Sequence, residues 1–305
     1  MIALTKIRTL DLSAAASDGR PPHLSAASGL VRLKSFLYVV ADDELHLGVF
    51  REGESEPGHL LQLFDGALPE SKKARKKQKP DFEALALLPA SEDHPHGALL
   101  ALGSGSRQNR RLGALLGLDA RGAVHGAPQA VDLSPLFEPL DDAFAALNIE
   151  GAAVFGQELR LLQRGNKGQG VNAVIRLPLP AVLAALRSGR AAAIKPCAIT
   201  SVDLGEIDGI PLGFTDAAAL PDGGMVFTAV AEDTDNPYDD GACAGAAVGI
   251  VDDGGELRSL RRLDQPCKVE GVDARLDGDT VRLLLVTDAD DAEIPASLYA
   301  AAIGR

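Results

Sequence analysis

Apolar residues fall in short bursts along this chain, not at helical spacing. Ser35–Ala41 (SFLYVVA), Leu45–Phe50 (LHLGVF), Ala98–Gly103 (ALLALG), Leu159–Gln163 (LRLLQ), Val171–Leu177 (VNAVIRL), Met225–Ala231 (MVFTAVA), Ala246–Val251 (AAVGIV) and Val281–Thr287 (VRLLLVT) are β-type runs bounded by Gly, Asp, Asn or Pro. Tight-turn chemistry separates several of them: Asp222-Gly223-Gly224, Asp253-Gly254-Gly255 and Asp277-Gly278-Asp279. Helix is sparse. Leu179–Ser188, with Pro180 near its start and Gly189 after its end, predicts one short helix. Leu133–Leu147 suggests an irregular turn, and the basic segment Lys72–Lys79 reads as a solvated loop.

A local phrase recurs at the head of successive apolar runs. It stands as Asp81-Phe82-Glu83-Ala84-Leu85, Asn148-Ile149-Glu150-Gly151-Ala152, Phe214-Thr215-Asp216-Ala217-Ala218 and Lys268-Val269-Glu270-Gly271-Val272, with a weaker copy around Ser28. Positions 28, 83, 150, 216 and 270 are 55, 67, 66 and 54 residues apart. Such a period is the mark of a closed or stacked array. Each repeat reads as four strands, clearest in the third: Ile149–Phe155, Glu158–Gln163, Val171–Leu177 and Ala198–Leu204. The fifth supplies only Val269–Leu276, Val281–Thr287 and Ser297–Ile303, while the alternating segment Ile2–Leu12 precedes the first repeat and fits the empty slot. These observations predict an all-β fold: one domain over residues 1–305, a five-bladed β-propeller of four-stranded blades closed by the N-terminal strand. Six blades is the alternative count.

Composition narrows the function. Net charge is −13, which disfavours nucleic acid and anionic membrane surfaces as partners. No run of apolar residues is long enough to span a bilayer, and the N-terminus lacks the pattern of a signal peptide. Cys197, Cys243 and Cys267 are odd in number and widely spaced, as expected of reduced thiols in a cytoplasmic protein.

Three phrases carry a family likeness: Lys79-Pro80-Asp81-Phe82-Glu83-Ala84-Leu85, Leu147-Asn148-Ile149-Glu150-Gly151, and Val269-Glu270-Gly271 followed by Val286-Thr287-Asp288-Ala289-Asp290-Asp291. Over nearly its whole length the chain resembles the bacterial phytase-like β-propellers, the group known as "esterase-like activity of phytase", in an uncharacterised branch. The resemblance implies a phosphoesterase and a Ca²⁺ requirement. It carries over no catalytic residues, because alkaline phytases have six blades and long acidic calcium runs.

Strand order gathers the candidate chemistry. The start of each first strand and the end of each second strand share one mouth of the central channel. Glu83, Glu150, Asp216 and Glu270 therefore ring that mouth, with Ser28 as the break in repeat one. Carboxylates this close raise one another's pKa unless a cation intervenes. Oxygen donors suit Ca²⁺, with Mg²⁺ as the alternative, so these four are candidate metal ligands. The competing reading is that each carboxylate accepts backbone N–H groups and ties the blades together. Ser28, Ser104, Arg164, Asn166, Lys167 and Asp288 are candidate contacts for a small anionic ligand, with Arg164 standing where other repeats carry acids. Two functions fit: a propeller that binds such a ligand or a divalent cation, and a metal-dependent phosphoesterase or esterase-like hydrolase. In the hydrolase, one of Glu83, Glu150 or Glu270, with Glu150 the first choice, serves as base and Arg164 steadies developing negative charge. The other motifs have weaker explanations. Ser104 and Ser106 are not in a nucleophile elbow, and Asp288–Asp291 lacks the glycine and terminal glutamate of an EF-hand loop.

Overall fold

The computed structural model describes residues 1–165, 171–188, 193–234 and 241–304. The chain opens with β1 (Thr5–Thr9), which stands apart from the strands that follow it. Blade one is β2 (Ala27–Leu33), β3 (Phe36–Ala41), β4 (His46–Arg51) and β5 (His59–Gln62). Blade two is β6 (Phe82–Leu88), β7 (Ala98–Gly103), β8 (Leu112–Gly117) and β9 (Gln129–Asp132). Blade three is β10 (Ile149–Phe155), β11 (Glu158–Gln163), β12 (Ala173–Pro178) and β13 (Ala198–Ser201). Blade four adds a two-residue strand β14 (Glu206–Ile207) to β15 (Ile210–Ala219), β16 (Met225–Asp233), β17 (Ala242–Val251) and β18 (Leu257–Arg262). Blade five is β19 (Lys268–Asp277), β20 (Thr280–Asp288) and β21 (Ser297–Gly304). Its outer edge is β1, paired antiparallel with β21 from Thr5 opposite Ala300 to Thr9 opposite Ser297. The five-bladed count and the closing N-terminal strand are both present.

Alternation along each strand sends side chains to two different cores. In β3, Leu37, Val39 and Ala41 face blade five while Tyr38 and Val40 face blade two. In β7, Leu99 and Ala101 face blade one while Ala98, Leu100 and Leu102 face blade three. Both faces are covered, so these strands are apolar at every position. Five buried clusters result, one at each blade interface. The innermost strands β2, β6, β10, β15 and β19 touch in that order, and β19 returns to β2.

Helix α1 (Lys72–Gln78) occupies the segment expected to be a loop. Arg75 is the reason: its stem is buried, Nε donates to the Pro69 carbonyl and Nη1 to the Asp43 carbonyl at 2.6 Å. That anchoring holds about two helical turns despite the lysine repulsion. Helix α2 (Ser134–Phe137) lies in the irregular stretch before blade three, and α3 (Leu179–Ser188) has the expected bounds. Among the described residues, no helix is long and apolar enough to cross a membrane.

Candidate functional site

Each inner strand carries a β-bulge at its mouth end. The register shifts between Ala27 and Gly29, Phe82 and Ala84, Ile149 and Gly151, Phe214 and Asp216, and Val269 and Gly271. The bulged residues are therefore Ser28, Glu83, Glu150, Thr215 and Glu270. A bulge re-aims its side chain out of the ladder, and here it turns Ser28, Glu83, Glu150 and Glu270 toward the channel mouth. Asp216 is thus corrected: it lies one residue past the bulge, and Thr215 holds the position equivalent to the glutamates. Thr215 is buried and donates to the Val269 carbonyl at 2.8 Å.

At the position of Asp216 the other blades have Gly29, Ala84, Gly151 and Gly271. The inner strands approach closest there. A Cβ on Gly151 would stand 2.9 Å from the Asp216 Cα, and one on Gly271 3.1 Å from the Leu30 nitrogen. The Asp216 carboxylate crosses this gap and accepts the Val272 N–H at 2.9 Å and the Ala217 N–H at 2.8 Å. Burial raises its pKa well above the ordinary carboxylate value, while N–H groups of Val272, Ala217 and Leu30 pull the other way. Asp216 closes the channel axis and ties blades four, five and one together. It does not line the cavity above. Backbone satisfaction is true of Asp216, whereas Glu83, Glu150 and Glu270 accept no backbone N–H among the described residues.

Above that floor the mouth encloses about 270 Å³, near the small end of the roughly 300–1,000 Å³ typical of ligand pockets. Three equivalent positions per blade frame it: the bulged residue, the one two before it, and the second-strand residue opposite the latter. In blade two these are Glu83 and Asp81, with Ser104; in blade three Glu150, Asn148 and Arg164; in blade five Glu270, Lys268 and Asp288. Blade one has Ser28, Ala26 and the acid Asp42 at these places, and blade four is bland, with Gly213 and Val230. The site is lopsided, as the breaks in the repeat imply. Ser104 is fully buried behind it, donating to Asp81 Oδ2 at 2.7 Å. Asn166 and Lys167 lie outside the described residues.

Two protein cations hold the blade-three and blade-five side. Arg164 Nη2 is 2.7 Å from Glu232 Oε2, and Nη1 is 3.3 Å from Glu150 Oε2. Lys268 Nζ is 2.8 Å from Asp290 Oδ1 and 3.2 Å from Asp288 Oδ2. Burial works against both charges, yet the surrounding carboxylates outweigh it and raise both pKa values. Burial also dominates at the acids: Glu150 is raised, Glu270 is raised well above its ordinary value, and Asp288 is pushed up to about 8.

The blade-one and blade-two side is organised by Lys79, which pairs with Asp42 and, at 2.9 Å, with Asp81 Oδ1. Arg110 Nη1 reaches Asp81 Oδ2 at 2.6 Å. Asp81 sits at φ 60°, a left-handed conformation that Asp tolerates better than most residues. Asp42, Asp81 and Glu83 each offer an oxygen, all within 4.8 Å of one another. Glu83 has no hydrogen bond or ion pair of its own among the described residues. Burial, then Glu150, Asp81 and Asp42, push its pKa well up, against the pull of Lys79. Lys79, Lys268 and Asp81 are site residues whose roles the repeat motif left unread. For Asp81 and Lys268 the signal is the strand period of two, which puts residue i−2 on the same face as the bulged residue.

The chain belongs to the family of unknown function DUF6929, whose profile matches residues 23–303. No curated protein matches it. Among solved structures it is similar to an alpha-L-arabinofuranosidase from Podospora anserina in complex with cellotriose, at 11% identity and TM-score 0.51, covering 99% of this chain and 96% of that one. It is also similar to a glycoside hydrolase from Parabacteroides distasonis, at 11% identity and TM-score 0.50, covering 98% and 96%. At such identity the likeness is one of fold alone. Neither comparison carries the phytase-like name.

Proposed function

We propose that this member of the DUF6929 family uses the propeller mouth as a small-ligand site, with a divalent cation held by Asp42, Asp81 and Glu83. One observation carries the reading: three carboxylates converge within 4.8 Å, and one of them, Glu83, has no hydrogen bond or ion pair among the described residues. An all-oxygen set suits Ca²⁺ first and Mg²⁺ second. Lys79 stands in the same corner and already supplies part of the missing charge. An entering ion must push this ammonium aside, so affinity is modest and rises with pH as Glu83 ionises. An anionic ligand would reach the mouth by bridging to the ion, because Arg164 and Lys268 are committed to carboxylates. Calorimetric titration of Ca²⁺ into chelator-treated protein tests this. Heat and a raised Tm are expected, both lost in Glu83→Gln; a silent titration with an unmoved Tm overturns the reading.

Glu83 also favours a second reading. A carboxyl whose pKa burial and three neighbouring acids push well up is fit to donate a proton to a leaving group, as in an esterase-like or phosphoesterase-like hydrolase. The two readings need opposite protonation states of the same residue. Hydrolysis of p-nitrophenyl acetate or phosphate that falls as pH rises, and vanishes in Glu83→Gln, favours acid catalysis. Hydrolysis that requires Ca²⁺ and rises with pH favours the metal.

A further inference from the structure

On the other side of the cavity lies a carboxylate that nothing satisfies. Glu270 lines the cavity and is 3% exposed, and its buried Oε1 has no hydrogen-bond partner. The nearest cationic atoms, Arg164 Nη1 and Lys268 Nζ, each stand 3.7 Å away, beyond hydrogen-bond reach. They do not close on Glu270 because their donors point at Glu150, Glu232, Asp288 and Asp290. Five carboxylates thus meet two cations. Cys243 of blade four also senses Glu270 and keeps its thiol proton, raised first by burial. Protons are the remaining means of balance, and a ligand that brings positive charge would replace them.

The kind of cation follows from the geometry. A hydroxyl brings a donor but no charge. A metal ion needs several oxygens turned toward one point, and Arg164 and Lys268 already sit between these carboxylates. An ammonium group brings three donors and one charge to a single acceptor. We propose that the Glu270 side of the cavity binds the ammonium group of a small organic amine. The site shares the cavity with the Asp42–Asp81–Glu83 corner but none of its residues, so either can fail alone.

The test is calorimetric titration of 1,4-diaminobutane in the presence of EDTA, at pH 7 and 8.5, in two buffers of different ionisation enthalpy. Binding is expected to release protons and to tighten by up to about tenfold per pH unit for each proton released. Glu270→Gln should weaken the amine at least about tenfold while Ca²⁺ binding persists; Glu83→Gln should do the reverse. No binding by about 10 mM amine overturns the proposal, as does unchanged affinity in Glu270→Gln. Should that variant misfold, wild-type binding without proton release overturns it equally.

Discussion

Asp216 and Glu270 are buried carboxyls on neighbouring inner strands, one residue apart in register, and burial pushes both pKa values up. They differ in what meets them. Asp216 lies where the strands pinch together, and backbone N–H groups from its own and neighbouring blades come to it. Glu270 lies where a bulge turns the chain outward, and no backbone donor reaches it. The same chemistry is a tie-rod at one level and an open valence one layer higher. Burial alone does not distinguish structure from site; the supply of donors does.

The contrast breaks most severely if the cations that make Glu270 tolerable are removed. Arg164→Met should cost about 3–5 kcal/mol at pH 8, since it strands Glu150 as a buried charge. Urea denaturation should show a smaller loss at pH 5, toward which burial raises the Glu150 pKa. Asp216→Ala should cost about 2–4 kcal/mol, because Val272 and Ala217 lose their acceptor in a dry layer. Equilibrium denaturation checks it, and a neutral result would dissolve the distinction between the two carboxyls.

A pH series sharpens the contrast. Glu83, Asp216, Glu270 and Asp288 all have folded-state pKa values above their unfolded ones. The native state therefore holds protons that the unfolded state releases, and stability falls as pH rises above the ordinary carboxylate range. For Asp288 the loss runs from about 4 to about 8. Lys268 has the same slope, but its contribution is full below its ordinary value and is lost only as pH rises above that, outside this range. Scanning calorimetry should show Tm dropping between pH 5.5 and 8.5. The smallest effect is expected at Glu270→Gln, within about 0.5 kcal/mol of wild type or slightly stabilising at pH 8, because it removes an unsatisfied charge.

The ring was readable because blade interfaces demand it: apolar runs with both faces buried, repeated at a near-constant period, and a last repeat lacking one strand. The shared mouth followed from strand direction. Asp216 was misplaced because Phe-Thr-Asp-Ala-Ala imitates Asn-Ile-Glu-Gly-Ala with the acid one step late. The small residue after the bulge is the better marker, since close approach of the strands enforces it at Gly29, Gly151 and Gly271. Helix α1 was invisible because no apolar period announces it; two backbone carbonyls at the end of a buried arginine decide it. The ion pairs of Lys79 and Lys268 depend on distances between blades, which no local phrase encodes.

The pairing of β1 with β21 has a kinetic consequence. The first strand made is among the last to find its partner, since Thr9 and Ser297 meet across almost the entire chain. Contacts of such sequence separation form slowly. Until they do, β21 presents a bare edge, and four assembled blades must hold their curvature without the fifth being sealed. An unpaired edge of this kind is open to strands from other molecules, and β1 is what covers it.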